Sequence, residues 1–313
     1  MSWGNSWQNS NRDSKKNKAG AYHKDKKFGG KGGRNQGEDS EVRAKKALGQ
    51  HFLVDLSVAD KIADIFPSDL DAVLEIGPGM GVLTKRLLPK FGERLGCAEI
   101  DKESVKYLAD QEWAKGLYVV EGDFLVMNEA LWISPENTEK LRGEGKELHA
   151  MKVGVIGNFP YNISTQIVFK VIETELQVQM FGGMFQKEVA VRLCAGHGNK
   201  DYGITSVLLQ AYFDCDYLFD VGPECFNPPP NVVSGVMVAR RKNTELGVSY
   251  DQLKKVVKMA FGQRRKTMLN AMRPLAGEKV GFAVPEQWAG KRAEQLSVDE
   301  FVELAKIWAA WGK

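Results

Sequence analysis

The stretch from Val73 to Leu88 constrains the fold of this chain more than any other part of its sequence. A short apolar run, Val73-Leu74-Glu75-Ile76, leads straight into Gly77-Pro78-Gly79-Met80-Gly81, and Val82 to Leu88 then repeats apolar residues at helical spacing. Strand, glycine turn and helix in immediate succession form the opening unit of a doubly wound α/β sheet. The glycines let backbone approach a ligand closely, and the helix N-terminus offers unpaired N–H groups. Alone, the turn leaves several readings open, because G-x-G turns also occur in NAD and FAD enzymes and in plain tight turns. The G-x-G-x-G spacing differs from the G-x-G-x-x-G of dinucleotide folds and points away from NAD.

The next strands add chemistry. Gly96 to Asp101 reads as a second strand, and its Glu99 lies 18 residues after Gly81, a spacing that suits a carboxylate gripping two ribose hydroxyls. Leu117 to Asp123 reads as a third strand ending on Asp123, and Val153 to Asn158 as a fourth. Either acid alone could be a solvated strand end; in succession they suit a ribose and an adenine ring. Asn158-Phe159-Pro160-Tyr161 follows the fourth strand. An adenine amino group is a poor nucleophile because its lone pair is delocalised into the ring. The Asn158 side-chain oxygen and the Phe159 carbonyl could each accept one N–H and favour a pyramidal nitrogen, Pro160 would set the turn, and Tyr161 could stack on the ring. A methyl sulfonium donor is already activated, so this chemistry needs neither a strong base nor a metal. The 4 cysteines and 4 histidines show no metal-ligand spacing, and no metal site is expected.

These motifs resemble the small-subunit ribosomal RNA adenine dimethyltransferase family over nearly all of residues 43–313. Lys45 to Leu53 is similar to the family's N-terminal motif, which closes over S-adenosylmethionine and implies donor contacts at Gln50, His51 and Leu53. Glu75 to Thr84 matches its donor loop, with Gly77 and Gly79. Glu99 matches its ribose-binding acid, Asp123 its adenine-binding acid and Asn158 to Ser164 its catalytic loop. Met184 to Arg192 matches a further family segment. Phe226-Asn227-Pro228-Pro229-Pro230-Asn231-Val232-Val233-Ser234 resembles a Phe-x-Pro-x-Pro-x-Val-x-Ser stretch, which implies that Phe226 helps sandwich the target base. His51 stands where many members have Asn, and Phe159 where many have Leu. The resemblance implies a Rossmann-like class I methyltransferase that dimethylates two adjacent adenosines near the 3′ end of small-subunit (16S) rRNA, acting on rRNA or the immature small ribosomal subunit. Its rivals are a large-subunit rRNA adenine methyltransferase of the antibiotic-resistance type and a non-catalytic RNA- or DNA-binding factor on the same fold.

Charge divides the chain. Residues 1–40 carry nine basic and four acidic side chains, so the remainder of the 313 residues has a net charge of −2 within a total of +3. The first forty residues are poor in aliphatics and read as a disordered basic tail that either touches nucleic acid weakly or only aids solubility. Residues 41–243 read as the donor-binding catalytic domain and 244–313 as a small helical RNA-binding domain. Within the latter, Gln263 to Thr267 opens a helical run, and Arg264, Arg265 and Lys266 are its candidate phosphate grip. Asn128 to His149 reads as a solvated surface insertion. No stretch approaches the ~18 apolar residues of a membrane span, and no secretion signal is evident. A cytoplasmic monomer is expected.

Overall fold

The computed structural model describes residues 42–278 and 282–311, so the tail expected over 1–40 lies outside the described residues. Among the described residues nine strands follow in order: β1 (Phe52–Leu53), β2 (Ala72–Ile76), β3 (Leu95–Glu99), β4 (Tyr118–Glu121), β5 (Lys152–Asn158), β6 (Gln177–Gln186), β7 (Phe213–Val221), β8 (Phe226–Asn227) and β9 (Ser234–Arg241). Seven of them form one sheet in the order β4-β3-β2-β5-β6-β9-β7, and β1 pairs with β8 in a separate two-stranded ribbon. Neighbours from β4 to β6 run parallel; β9 lies antiparallel between β6 and β7. β2 is buried along its whole length, as a central parallel strand with helices on both faces must be.

The chain winds outward from β2 to β3 and β4, then crosses back to β5 on the other side of β2. A crevice opens at such a reversal, outside the carboxyl ends of the strands. Glycine makes the local path possible. Gly79 has φ +55°, and a Cβ there would stand 2.9 Å from the Phe52 ring; one on Gly81 would stand 2.4 Å from Trp113. The glycine turn therefore lies under side chains that leave no room for a methyl group.

The C-terminal helices form by the expected signals. Ser249 with Gln252 and Ser297 with Glu300 make reciprocal capping boxes at the starts of Tyr250–Gly262 and Val298–Ala310. Their apolar faces, Leu253, Val256 and Val257 on one and Phe301, Leu304 and Trp308 on the other, join the same core as Val207 and Leu208 of the preceding helix and Val155 and Phe159 of the sheet. The core runs without a break across residue 243.

Two expectations change here. Residues 128–149 are not simply solvated. Ser134 caps the helix Pro135–Gly143, Trp132, Ile133 and Leu141 are buried, and Asn137 Nδ2 donates to the Asp71 carbonyl at 3.0 Å. A few anchors hold an otherwise charged lobe against the sheet. The basic triplet Arg264-Arg265-Lys266 does not lie on a helix either. It occupies the turn between Tyr250–Gly262 and Met268–Ala271.

Candidate active site

A cleft opens over the carboxyl ends of β2, β3, β4 and β5. Its floor carries Gly77 and Gly79 from the glycine turn, Glu99 from β3, Asp123 just beyond β4 and Asn158 at the end of β5. Gln50, His51 and Phe52 close it from above. Sequence reasoning named all of these except Phe52.

Glu99 is 4 % exposed, and its two oxygens are aimed by backbone: Oε2 accepts from Gly79 N–H at 3.0 Å and Oε1 from Asp101 N–H at 2.9 Å. Burial raises its pKa, against the opposing pull of those N–H donors. Beneath it Glu75, 1 % exposed, is pushed up to about 8 by burial, and Cys97 Sγ lies 3.9 Å from its carboxyl. Asp123 Oδ1 accepts from Leu125 N–H at 2.9 Å, which fixes the turn after β4. Among the described residues no lysine or arginine lines the cleft, while two carboxylates do. That charge balance and the glycine-lined floor fit S-adenosylmethionine, a nucleoside with a cationic sulfonium.

Asn158 sits opposite Met184 of β6, and the Phe159 N–H donates to the Met184 carbonyl at 3.0 Å. The Phe159 ring is buried against Phe181 and Phe185, with centroids 5.3 and 4.6 Å away, which anchors the turn in the core. Asn158 Nδ2 donates to the His51 carbonyl at 2.9 Å, leaving Oδ1 as the amide's acceptor atom. Tyr161 is held at its hydroxyl, 2.6 Å from Oγ of the fully buried Ser234. Its ring stacks on His51, with centroids 5.6 Å apart and planes 27° apart. His51 is itself fixed by a 2.8 Å bond between Nδ1 and the Pro228 carbonyl.

Two expected contributors turn their side chains away from the cleft, and a third, exposed in the turn between C-terminal helices, also bonds to its own protein. Phe226, expected to sandwich the base, is 4 % exposed and pairs with Leu53 across the β1–β8 ribbon; both side chains pack into the second hydrophobic core. Alternation along a strand accounts for this: with Leu53 turned to the core, its neighbour Phe52 faces the cleft. The aromatic partner of Tyr161 is thus His51, and Leu53 offers the cleft no side chain. Arg264 is engaged by its own protein, its guanidinium donating to Glu294 at 2.9 Å and to the Lys200 carbonyl at 2.6 Å. Arg265 and Lys266 remain exposed. Ser234 and Asp101 escaped sequence reasoning as site residues. The signal for Asp101 was its place as the N-cap of the helix Lys102–Ala109.

A doubly wound sheet with one antiparallel strand beside its edge, a cleft over its strand ends and an Asn-x-Pro-aromatic turn after β5 defines a Rossmann-like class I methyltransferase. Among solved structures, a dimethyladenosine transferase from Plasmodium falciparum superposes with a TM-score of 0.65 at 24% identity, covering 81% of this chain and 96% of that one. The 23S rRNA methyltransferase ErmE gives 0.58 at 21%, covering 82% and 99%. At those identities the likeness is one of fold. The family model described as Ribosomal RNA adenine dimethylase matches residues 41–310, and the chain belongs to that family. It is similar to the ribosomal RNA small subunit methyltransferase A of Parabacteroides distasonis, 47% identical over 271 residues that cover 85% of this chain and 94% of the relative. The protein of that name from Cytophaga hutchinsonii is 44% identical over 270 residues, covering 85% and 98%.

Proposed function

We propose that this protein uses S-adenosylmethionine to methylate the exocyclic amines of two adjacent adenosines near the 3′ end of small-subunit (16S) rRNA, each to dimethyladenosine. The observation that carries the reading is the orientation of Asn158. Its amide nitrogen donates to the His51 carbonyl, which leaves Oδ1 to accept, and Asn158 lines the same cleft as Glu99 and Asp123. When bound, S-adenosylmethionine supplies an electrophilic methyl group on a sulfonium. The rest falls to the chain's own residues. Glu99 holds the ribose hydroxyls and Asp123 the donor's adenine. Asn158 Oδ1 and the Phe159 carbonyl accept the two N–H bonds of the target amine and draw its lone pair out of conjugation with the ring. Tyr161, tethered by Ser234, fixes the plane of the base. Arg265 and Lys266 contact phosphates.

The physiological substrate is the immature small subunit, met by a monomer in the cytoplasm; no helix among the described residues is long and apolar enough to cross a membrane. The test is to incubate the protein with labelled donor and either separate rRNAs or immature subunits, then map the modified nucleosides. Label on two adjacent small-subunit adenosines is expected. Label in large-subunit rRNA, or no transfer to any RNA, would overturn the reading.

A further inference from the structure

The strap at residues 43–50 brings Leu48, Gly49 and Gln50 to the cleft, yet none of its residues is buried. What fastens this strap to the body of the protein is polar, and it converges on the buried carboxylate of Asp101, with a second pair from Lys45 Nζ to the exposed Glu103 at 3.1 Å. Asp101 has a fully buried side chain. Its Oδ1 takes an ion pair from Lys45 Nζ, and its Oδ2 accepts from Gln50 Nε2 at 3.0 Å. Lys45 and Gln50 are joined to each other as well, through a 2.8 Å bond from the Lys45 N–H to Gln50 Oε1. The same carboxylate caps a helix, receiving Glu103 N–H at 3.1 Å, and the Asp101 N–H aims Glu99.

A line of direct contacts results. It runs from the Gly79 turn to Glu99, from Glu99 to Asp101, from Asp101 to Gln50, and through the adjoining His51 carbonyl to Asn158. A helix cap alone would not require this arrangement: a serine satisfies an N-cap N–H, and neither Lys45 nor Gln50 belongs to the helix. Burial pushes the Asp101 carboxyl up, and the bonds from Lys45 and Gln50 outweigh it, holding the group below its usual range.

We propose that Asp101 is a positioning residue that latches the Lys45–Gln50 strap over the cleft and so couples capture of the donor at Glu99 to the orientation of Asn158. The inference rests on the reading of the cleft as a donor site. With the latch intact, the bound nucleoside leaves only when Lys45 and Gln50 release Asp101. Without it, the strap opens while Glu99 and the glycine turn stay in place, so the donor still binds and escapes sooner.

The variants are Asp101→Ser, which keeps a helix-capping hydroxyl but reaches neither strap residue, and Lys45→Met and Gln50→Ala, which leave the helix untouched. Two readouts are taken on the full chain: hydrogen exchange of the 45–50 amides, and the dissociation rate of S-adenosylmethionine in the absence of RNA. All three variants should exchange faster over 45–50 than wild type. Donor release should quicken about tenfold in Asp101→Ser, corresponding to roughly one lost charged hydrogen bond. Adding Lys45→Met to Asp101→Ser should cost less than Lys45→Met costs alone, because the contact to Asp101 is already gone and only the 3.1 Å pair between Lys45 and Glu103 is left to lose. If Asp101→Ser and Lys45→Met both match wild type in exchange and release, Asp101 is a helix cap and nothing else. If wild type binds no S-adenosylmethionine, the donor reading fails instead, while the exchange of 45–50 in the unliganded variants still decides whether the latch exists.

Discussion

Removing a single oxygen from the Tyr161–Ser234 pair tests whether the stacking ring is positioned or merely present. Tyr161→Phe keeps the ring and deletes the hydroxyl that lies 2.6 Å from Ser234 Oγ. Ser234 is 0 % exposed, so water cannot replace the lost partner, and a buried hydroxyl left alone costs ~1–3 kcal/mol. Ser234→Ala removes the other half. Tyr161 is only partly buried, its hydroxyl can turn toward solvent, and the loss should be nearer ~1 kcal/mol, the net worth of one hydrogen bond. The double variant has no orphan on either side, so its destabilisation should fall short of the sum by about 1 kcal/mol. Urea unfolding of the four proteins measures that cycle. The functional consequence should be larger than the structural one if, as proposed, the tether sets the plane in which the base is offered. Single-turnover methyl transfer at saturating RNA should fall about tenfold to a hundredfold in both single variants, with donor affinity unchanged. An additive cycle, together with a full transfer rate in Tyr161→Phe, would show that Ser234 does not position the ring.

Glu99→Gln puts an amide nitrogen where one oxygen now faces a backbone N–H, and calorimetry should find donor binding weakened roughly 10- to 100-fold in a folded protein. Asn158→Ala should preserve donor and RNA binding while slowing the chemical step; near-normal single-turnover rates would remove its assigned role. Glu75 has its folded pKa raised to about 8 by burial, so its stabilising protonation is fully felt below the unfolded value of 4.5 and is lost as pH climbs to about 8. Wild type should therefore lose a few kcal/mol between roughly pH 5 and 8.5 that Glu75→Gln does not lose, measured as urea midpoints at the two pH values. Replacing Arg265 and Lys266 by Ala should weaken RNA binding and reduce its salt dependence by about two counterions without destabilising the fold. Arg264→Ala, which breaks contacts to Glu294 and Lys200, should instead lower thermal stability.

The sequence made the chemistry-bearing edge of the sheet legible because glycines, acids and the Asn158 turn follow their strands directly, and strand ends are where a doubly wound fold collects ligands. Side-chain facing was harder. Leu53 and Phe226 belong to two-residue strands, too short for alternation to declare which neighbour turns inward, and only their mutual pairing sends both to the core. Arg264 looked like its two neighbours in sequence, and its contacts to Glu294 and Lys200 come from chain 30 and 64 residues distant. The lobe at 128–149 reads as surface because charged residues outnumber its anchors, though Trp132 and Leu141 determine where it sits.

The unbroken core beneath both the catalytic turn and the C-terminal helices makes this protein a caliper with a fixed gap. Phe159 roots one jaw in that core, and Leu253 and Val257, on the helix leading to Arg265 and Lys266, root the other. If Arg265 and Lys266 grip phosphate as proposed, two jaws rooted in one core would measure length rather than letters, favouring an adenine that stands at the set span from a gripped phosphate. The burden of adjustment then falls on the RNA. On that reading, an RNA that cannot bend to the gauge would be held at one jaw and left unmodified at the other, so RNA shape would choose the adenosine together with its sequence.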